Sequence, residues 1–450
     1  MIFTKIRFRL EIIFRSIGKN YYLILVGLFL GIISALILPR AQKWWQFSTY
    51  NPDRIGLVGR YRPDKLPQEV SSLLSYGLVE TLPNGKIENS PLTKSWDIQE
   101  NGLLYRFFLN LDQRWHDGSR FQAKDINYQI PNIQTTPIGS DQVNFTPKEI
   151  FTPLPYLLSE PLLKKGLVGL GPYKAKKINV SQGLVKNLLL APLEKQNKHL
   201  SISFYPTEND LITAFKLGEI DEARGISDTK PFQNFKNVQL IPQIESNKQY
   251  SAIFFNTRKE PFSDKRFRQT LAYTTPKENK ENRCLGPISP QSWAYNPTIK
   301  PYEEDVNRAK LLSQEIEVDW KDKEIRLEVS SLELLETAEK IAQSWRENLG
   351  LAVQVTLTNS LLDRENFDAL LAYGSLHPDP DQYAFWHSTQ KEGNLTGINN
   401  PRLDELLEEG RQTLDSVRRK EIYQDFQRFL SEESPAIFLS FPTTYTINRK

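Results

Sequence analysis

The sequence predicts an α/β protein of more than one domain behind a single N-terminal transmembrane helix, and three observations carry this. The chain has 450 residues, more than one ordinary core accommodates. Ile325, Leu327 and Val329 alternate as a strand. Leu335, Ala338, Ile341, Ala342, Trp345 and Leu349 then share one helical face that Gly350 stops, and Val353, Val355 and Leu357 alternate again. That is a βαβ unit, whose strands run parallel with both faces covered. Third, Tyr21 to Leu38 holds eighteen residues without a charge. As a helix this run spans roughly 27 Å, enough for a bilayer core.

The N-terminus sets the topology. Lys5, Arg7, Arg9, Arg15 and Lys19 against Glu11 precede the apolar run, so residues 1–20 read as a cytoplasmic basic segment. Residues 21–38 are the span, Pro39 stops it, and Tyr21-Tyr22 and Trp44-Trp45 flank it as interfacial aromatics. Residues 39–50 are a linker, and the rest lies outside the cytoplasm. A cleaved signal peptide gives the same sidedness, but the run is long for one and Pro39-Arg40-Ala41 is a poor cleavage site. The net charge is +3 and the first twenty residues carry +4, so the remainder of the chain is near −1. That balance argues against a nucleic-acid protein. The single cysteine, Cys284, excludes an internal disulfide and a cysteine metal cluster, and lies too far along the chain to be a lipidated N-terminal anchor.

In chain order, Ile55 to Val58 is a short strand ending in Gly59, and Leu73 to Val79 a helix before the turn Pro83-Asn84-Gly85. Asn101-Gly102 predicts a two-residue hairpin turn between apolar runs. Asp117-Gly118 is a second turn, and Phe121 to Asp125 a helix start. Gly169-Leu170-Gly171-Pro172-Tyr173 reads as a turn rather than a phosphate loop, since no Lys-Ser/Thr follows. Ser201 to Tyr205 is a strand, and Thr207 to Leu217 a helix stopped by Gly218. Tyr250 to Asn256 is an apolar strand. Asp264 begins a helix whose Arg266 and Arg268 are expected to be solvated or paired with Asp264. Asp368 to Tyr373 is a strand, and Leu403 to Gly410 and Ser416 to Leu430, the latter capped by Asp415, are helices. Phe438 to Tyr445 is a last strand.

The order Ser95-Trp96, hairpin, Trp115-His116-Asp117-Gly118, Phe121, Ala123-x-Asp125-Ile126 resembles the signature segment of the extracellular solute-binding proteins of family 5, the peptide-type receptors of ATP-binding cassette importers. Gly169 to Tyr173 is similar to that family's Gly-x-Gly-Pro-Tyr element. Asn256, Pro261-Phe262 and Asp264-x-Arg266-x-Arg268-Gln269-x-Leu271-Ala272 match another, with Thr270 where alanine is usual. The resemblance covers about residues 51–450. It implies the two-lobed periplasmic-binding-protein-like fold (type II): lobe I at 51–250 with an inserted subdomain, lobe II at 251–435, and a hinge return at 436–450. It puts the crossings near Ala252 to Asn256 and Pro435 to Phe441, and implies further chain folding back onto the first lobe. It also implies a peptide or other small solute as ligand, a permease with ATPase subunits as partners, and no cofactor or catalytic residue.

The candidate ligand loop is Tyr373 to Ser388, after a strand, where open α/β sheets place ligands. Asp379-Pro380 matches the family's Asp-Pro element. The resemblance puts an amine-binding aspartate three residues earlier, where this chain has Leu376; Asp379 or Asp381 would have to substitute. Tyr383, Trp386 and His387 are candidate ligand contacts, with Phe385 expected in the core. Trp293, Asn394 and Asn256 complete the candidate set. His377, Asp379, Asp381 and His387 also form a candidate metal set, though alternating loop residues need not converge. No Gly-x-Ser-x-Gly, His-Glu-x-x-His or Walker motif occurs, which argues against an enzyme. The alternative is a cell-surface binding or scaffold protein that keeps the fold and takes a non-peptide solute or has lost transport.

Overall fold

A computed structural model of the chain describes residue 31 and residues 51–277, 281–358 and 366–450. The basic segment, the span and the linker expected at 1–50 lie outside the described residues, apart from helical Gly31. Among the described residues no helix is long and apolar enough to cross a membrane.

Two α/β sheets organise the fold. The first has seven strands, in spatial order Val238–Ile244, Thr443–Arg449, Glu222–Ile226, Asp53–Val58, Leu200–Tyr205, Leu184–Pro192 and Tyr173–Ser181. Ile55, Leu57, Ile202, Phe204, Leu188 and Leu190 alternate into a core that the helix Gln68–Leu74 closes with Val70 and Leu74. The helix Glu208–Lys216, capped by the Thr207 hydroxyl, packs Leu211 and Phe215 against Ala223, Ile226 and Ile447.

The second sheet has five strands, in order Ala352–Leu357, Glu324–Val329, Ala369–Ser375, Gln249–Phe255 and Ala436–Ser440. The first three are parallel, and Gln249–Phe255 runs antiparallel to both of its neighbours. The βαβ pattern is realised by the helix Leu335–Leu349, which Gly350 ends at φ 71. Both faces are covered: Ile253 and Phe255 pack with Trp345, while Ala252 and Phe254 pack with Trp386 and Phe438.

The crossings differ from those expected. The chain passes between the sheets at 245–248 and returns at 441–442, whereas Ala252 to Phe255 form a central strand. The expected strand Phe438 to Tyr445 is split because Pro442 has no N–H for a ladder. The Phe441 N–H goes instead to the Asn282 carbonyl, 2.7 Å away. The two crossings are tied together. The Glu245 N–H donates to the Pro442 carbonyl (2.9 Å), and the Thr444 hydroxyl donates to the Glu245 carboxylate (2.7 Å).

A smaller unit interrupts the first sheet's sequence. Its antiparallel strands lie in order Thr93–Gln99, Leu104–Leu109, Gln142–Pro147 and Ile133–Ile138, around fully buried Tyr105, Phe107 and Phe145. The expected hairpin forms, but with a four-residue loop: Gln99 faces Leu104, and Glu100, Asn101 and Gly102 all take positive φ. The Gly169 to Tyr173 turn runs against the end of the helix Gln68–Leu74. A Cβ on Gly169 would sit 1.9 Å from the Leu74 carbonyl oxygen, which is why glycine stands there. His116 secures the turn. Its Nε2 donates to the Gly171 carbonyl (2.9 Å) and its Nδ1 accepts the Gly169 N–H (3.3 Å), so the imidazole is neutral.

Candidate functional site

The loop expected to border the ligand follows Ala369–Ser375, at the carboxyl end of the parallel strands and beside the crossings. The Leu376 N–H donates to the Lys248 carbonyl (2.8 Å), which pins the loop to the first crossing. Two aspartate turns then shape it. Asp379 accepts the Asp381 N–H (2.8 Å), and Asp381 accepts the Tyr383 N–H (3.1 Å).

Opposite this loop stands the inserted unit. The Tyr156 hydroxyl donates to the Gly85 carbonyl (2.7 Å) and accepts the Trp293 indole N–H (3.2 Å). The Trp293 backbone N–H donates to the Asn84 carbonyl (3.1 Å), and the Thr152 N–H and hydroxyl both donate to the Arg411 carbonyl (3.0 and 2.9 Å). Gly85 has φ 76, and a Cβ on it would meet the Pro378 carbonyl oxygen at 2.7 Å. This is a tight polar seam between the unit and the five-stranded lobe.

Two arginines organise the seam. Arg419 grips Asp379 with both terminal nitrogens (2.9 and 2.7 Å) and donates from Nε to the Gly410 carbonyl (2.8 Å). Asp379 is 6% exposed and Arg419 5%. Burial pushes the Asp379 carboxyl up, and the Arg419 charge opposes that push. The guanidinium lies 5.5 Å from the Trp293 ring and 5.3 Å from Tyr423. Burial, reinforced by the Asp379 charge, raises the Tyr156 hydroxyl to about 12. Arg411 binds Asp381 through Nε and Nη2 (3.1 and 2.6 Å) and stacks between Tyr383 (4.0 Å) and Phe151 (5.3 Å). Both carboxylates already answer a guanidinium, Asp379 through both oxygens and Asp381 through one, so a ligand amine reaching this loop would meet a carboxylate whose charge is already paired.

Of the candidate residues, Asp379, Tyr383 and Trp293 meet at the seam. The other four are held inside the five-stranded lobe. Trp386 is 3% exposed, packed by Phe254 and Phe438. His387 is held by Thr389 (2.8 Å) and Glu408 (3.1 Å) and stacks on Tyr383. The Asn394 amide donates to the Ile398 carbonyl (2.8 Å), and that of Asn256 to the Phe367 carbonyl (2.9 Å), so both serve buried backbone. Phe385, expected in the core, is 39% exposed against His377, because the single turn Tyr383–Trp386 aims Trp386 inward instead. His377, Asp379, Asp381 and His387 each face a different partner. Among the described residues no group of three His, Cys, Asp or Glu side chains is placed to hold a metal. Arg266 pairs with Asp264 as expected, but Arg268 is buried and donates to the Phe262, Ser263, Glu433 and Ser434 carbonyls.

Sequence reasoning missed Arg419, Arg411 and Tyr156. For Arg419 a signal existed: it shares the buried stripe of Ser416–Glu433 with Ile422, Tyr423 and Phe426, where an arginine requires a buried partner. Beside the crossings lies a cavity of about 320 Å³, lined by Leu57, Glu69, Arg224, Glu245, Lys248 and Thr444 among others. It offers both signs of charge, and Lys248 reaches the Glu245 carboxylate at 3.0 Å.

A family model described as bacterial extracellular solute-binding proteins, family 5 Middle, matches residues 141–395, more than half of the chain. The oligopeptide-binding protein AppA of Bacillus subtilis (strain 168) is 24% identical over 392 residues, covering 79% of this chain and 70% of that protein. The crystal structure of NikZ from Campylobacter jejuni in complex with Ni(L-His) superposes with a TM-score of 0.74 at 22% identity, covering 89% of this chain and 94% of that one. The structure of AppA from Bacillus subtilis in complex with a nonapeptide gives a TM-score of 0.67 at 19% identity, covering 89% and 95%. At these identities the solved structures establish the two-lobed fold.

Proposed function

The chain belongs to the bacterial extracellular solute-binding proteins of family 5, and from that membership we propose that its two lobes close on a peptide-like solute and deliver it to the permease and ATPase subunits of an importer. The observation that carries the mechanism is the pair of adjacent crossings, tied by Glu245, Pro442 and Thr444. Two short neighbouring links let the sheets move as bodies once the seam bonds of Asn84, Thr152 and Tyr156 to the five-stranded lobe part. A ligand touching both lobes favours the closed state by its differential affinity alone. The protein catalyses no reaction in this reading. We assign lobe I to 51–244 with 443–450, and lobe II to 249–440. Residues 21–38 hold the chain in the membrane with the lobes outside.

Ligand choice follows from the seam. Asp379 and Asp381 are both bound by arginines, and Leu376 is buried. The loop therefore carries no free carboxylate for a peptide's amino end, and peptides with free or acetylated ends are expected to bind alike. The same pairing favours, as a second reading, a solute without an amine. The test is thermal unfolding of the full chain in detergent with peptide pools of graded length. Peptide at about a hundred times its Kd stabilises by about 2.7 kcal/mol. No shift with any peptide pool overturns the peptide reading, and a shift with a non-peptide solute moves the ligand class while keeping the receptor.

A further inference from the structure

We propose that the hairpin of Tyr173–Ser181 and Leu184–Pro192, with the loop that follows it, lies on anionic phospholipid headgroups beside the membrane anchor; this rests on the reading of residues 21–38 as that anchor. The hairpin lies at one edge of the seven-stranded sheet, with Tyr173–Ser181 as the edge strand. Its root adjoins the point where the folded chain begins: Lys198 pairs with Asp53 at 2.9 Å, and Asp53 opens the first strand. The twelve linker residues 39–50 reach at most about 40 Å when fully extended. The anchor thus tethers the start of this edge within about 40 Å of the bilayer, which raises its local concentration at the surface.

Charge marks the same edge. Residues 173–200 hold Lys174, Lys176, Lys177, Lys186, Lys195 and Lys198 against Glu194 alone, a net of +5, while the whole chain carries +3. Residues 1–50 carry +6, so residues 51–450 are net −3 and, without this segment, −8; the segment stands out as a basic stretch in an acidic folded part. Two β-bulges turn these lysines outward. The register slips between Ala175 and Lys177, and again opposite Asn179 and Val180, which leaves Lys176 and Lys186 as the extra residues. Ala175, Ile178, Leu188 and Leu190 still face the core. Lys176, Lys177 and Lys186 consequently lie exposed on the outer side, with Lys195 exposed in the loop. Val180 (49% exposed) and Leu193 (59%) stand among them, the mixture of apolar and cationic side chains that suits a headgroup layer. A lysine held near an anionic surface contributes about a fivefold gain in binding, lost beyond a Debye length. Lysines on an edge strand also discourage edge-to-edge pairing, a role with no lipid dependence.

The test places a fluorophore at Ser181→Cys in the full chain; Cys284 is fully buried and does not compete for label. The chain is reconstituted in nanodiscs of POPC, or of POPC and POPG in equal parts, each with a headgroup-level quencher. Quenching is expected to be several-fold stronger with POPG, to fade at high salt, and to fall to the POPC level in the triple variant Lys176→Glu, Lys177→Glu, Lys186→Glu. Equal quenching in the two lipids, or quenching indifferent to the triple variant, overturns the proposal. A chain that fails to co-elute with either disc refutes the anchor. The same labelled chain is then sedimented with POPG vesicles, where binding that the triple variant abolishes upholds the hairpin surface and no binding overturns it.

Discussion

Replacing Arg419 with methionine tests the seam most directly. The guanidinium holds both oxygens of Asp379 at 2.9 and 2.7 Å and the Gly410 carbonyl at 2.8 Å, with both side chains buried. Methionine fills part of the space and leaves the carboxylate without its countercharge. Removing one partner of a buried pair costs about 3–5 kcal/mol, and the orphaned carbonyl adds about 1–3 kcal/mol. Asp379→Asn leaves the arginine unpaired and is expected to cost a similar few kcal/mol, while its amide oxygen still accepts the Asp381 N–H. The double variant has no buried charge at this point. Its loss should fall short of the sum of the singles by at least about 2 kcal/mol, since contacting residues couple. Urea unfolding followed by tryptophan fluorescence measures this, with Trp293, whose ring lies 5.5 Å from the guanidinium, as one of the chain's eight reporters. Additive singles, or an Arg419→Met loss below about 1 kcal/mol, would mean a hydrated pair and refute the dry seam.

Two further outcomes follow from the turn that His116 secures. Gly169→Ala places a Cβ 1.9 Å from the Leu74 carbonyl, so backbone must move, and a loss of about 3 kcal/mol in urea unfolding is expected. Gly286→Ala, whose Cβ meets only Ile299 at 3.5 Å, is the control expected to change little. Burial holds the His116 pKa below its ordinary value, with Lys174 adding repulsion and the Gly171 carbonyl opposing. A depressed folded-state pKa favours folding above the unfolded-state pKa, and that contribution is lost as the pH falls through the folded value. The unfolding free energy relative to His116→Gln is therefore expected to drop as the pH falls below the ordinary histidine value of about 6.5; a constant difference would show that the imidazole is not held neutral.

Much of the fold is legible because burial repeats with the local period. Ile325, Leu327 and Val329, the stripe of Leu335–Leu349, and Thr207 and Asp264 at helix starts are read within a few residues of chain. The crossings are less legible, since residues 250–255 are buried at every position and such a run does not say whether it is a link or a central strand. Four of the seven candidate residues, Trp386, His387, Asn394 and Asn256, read as ligand candidates because the same polar and aromatic types serve ligands, aromatic packing, side-chain pairs and buried backbone alike. Only the fold shows which groups they meet.

The sequence by itself determined the α/β character, the apolar run ahead of the folded part, and the succession of motifs that places the chain among the solute-binding proteins. All of these are written in short-range order. Tertiary structure alone decided which partners the charged residues of the seam meet. Asp379 and Arg419 lie forty positions apart and Tyr156 is farther still. Their meeting depends on the inserted unit settling against the five-stranded lobe. Where water is excluded, a charge is defined by its partner, and no local periodicity names that partner.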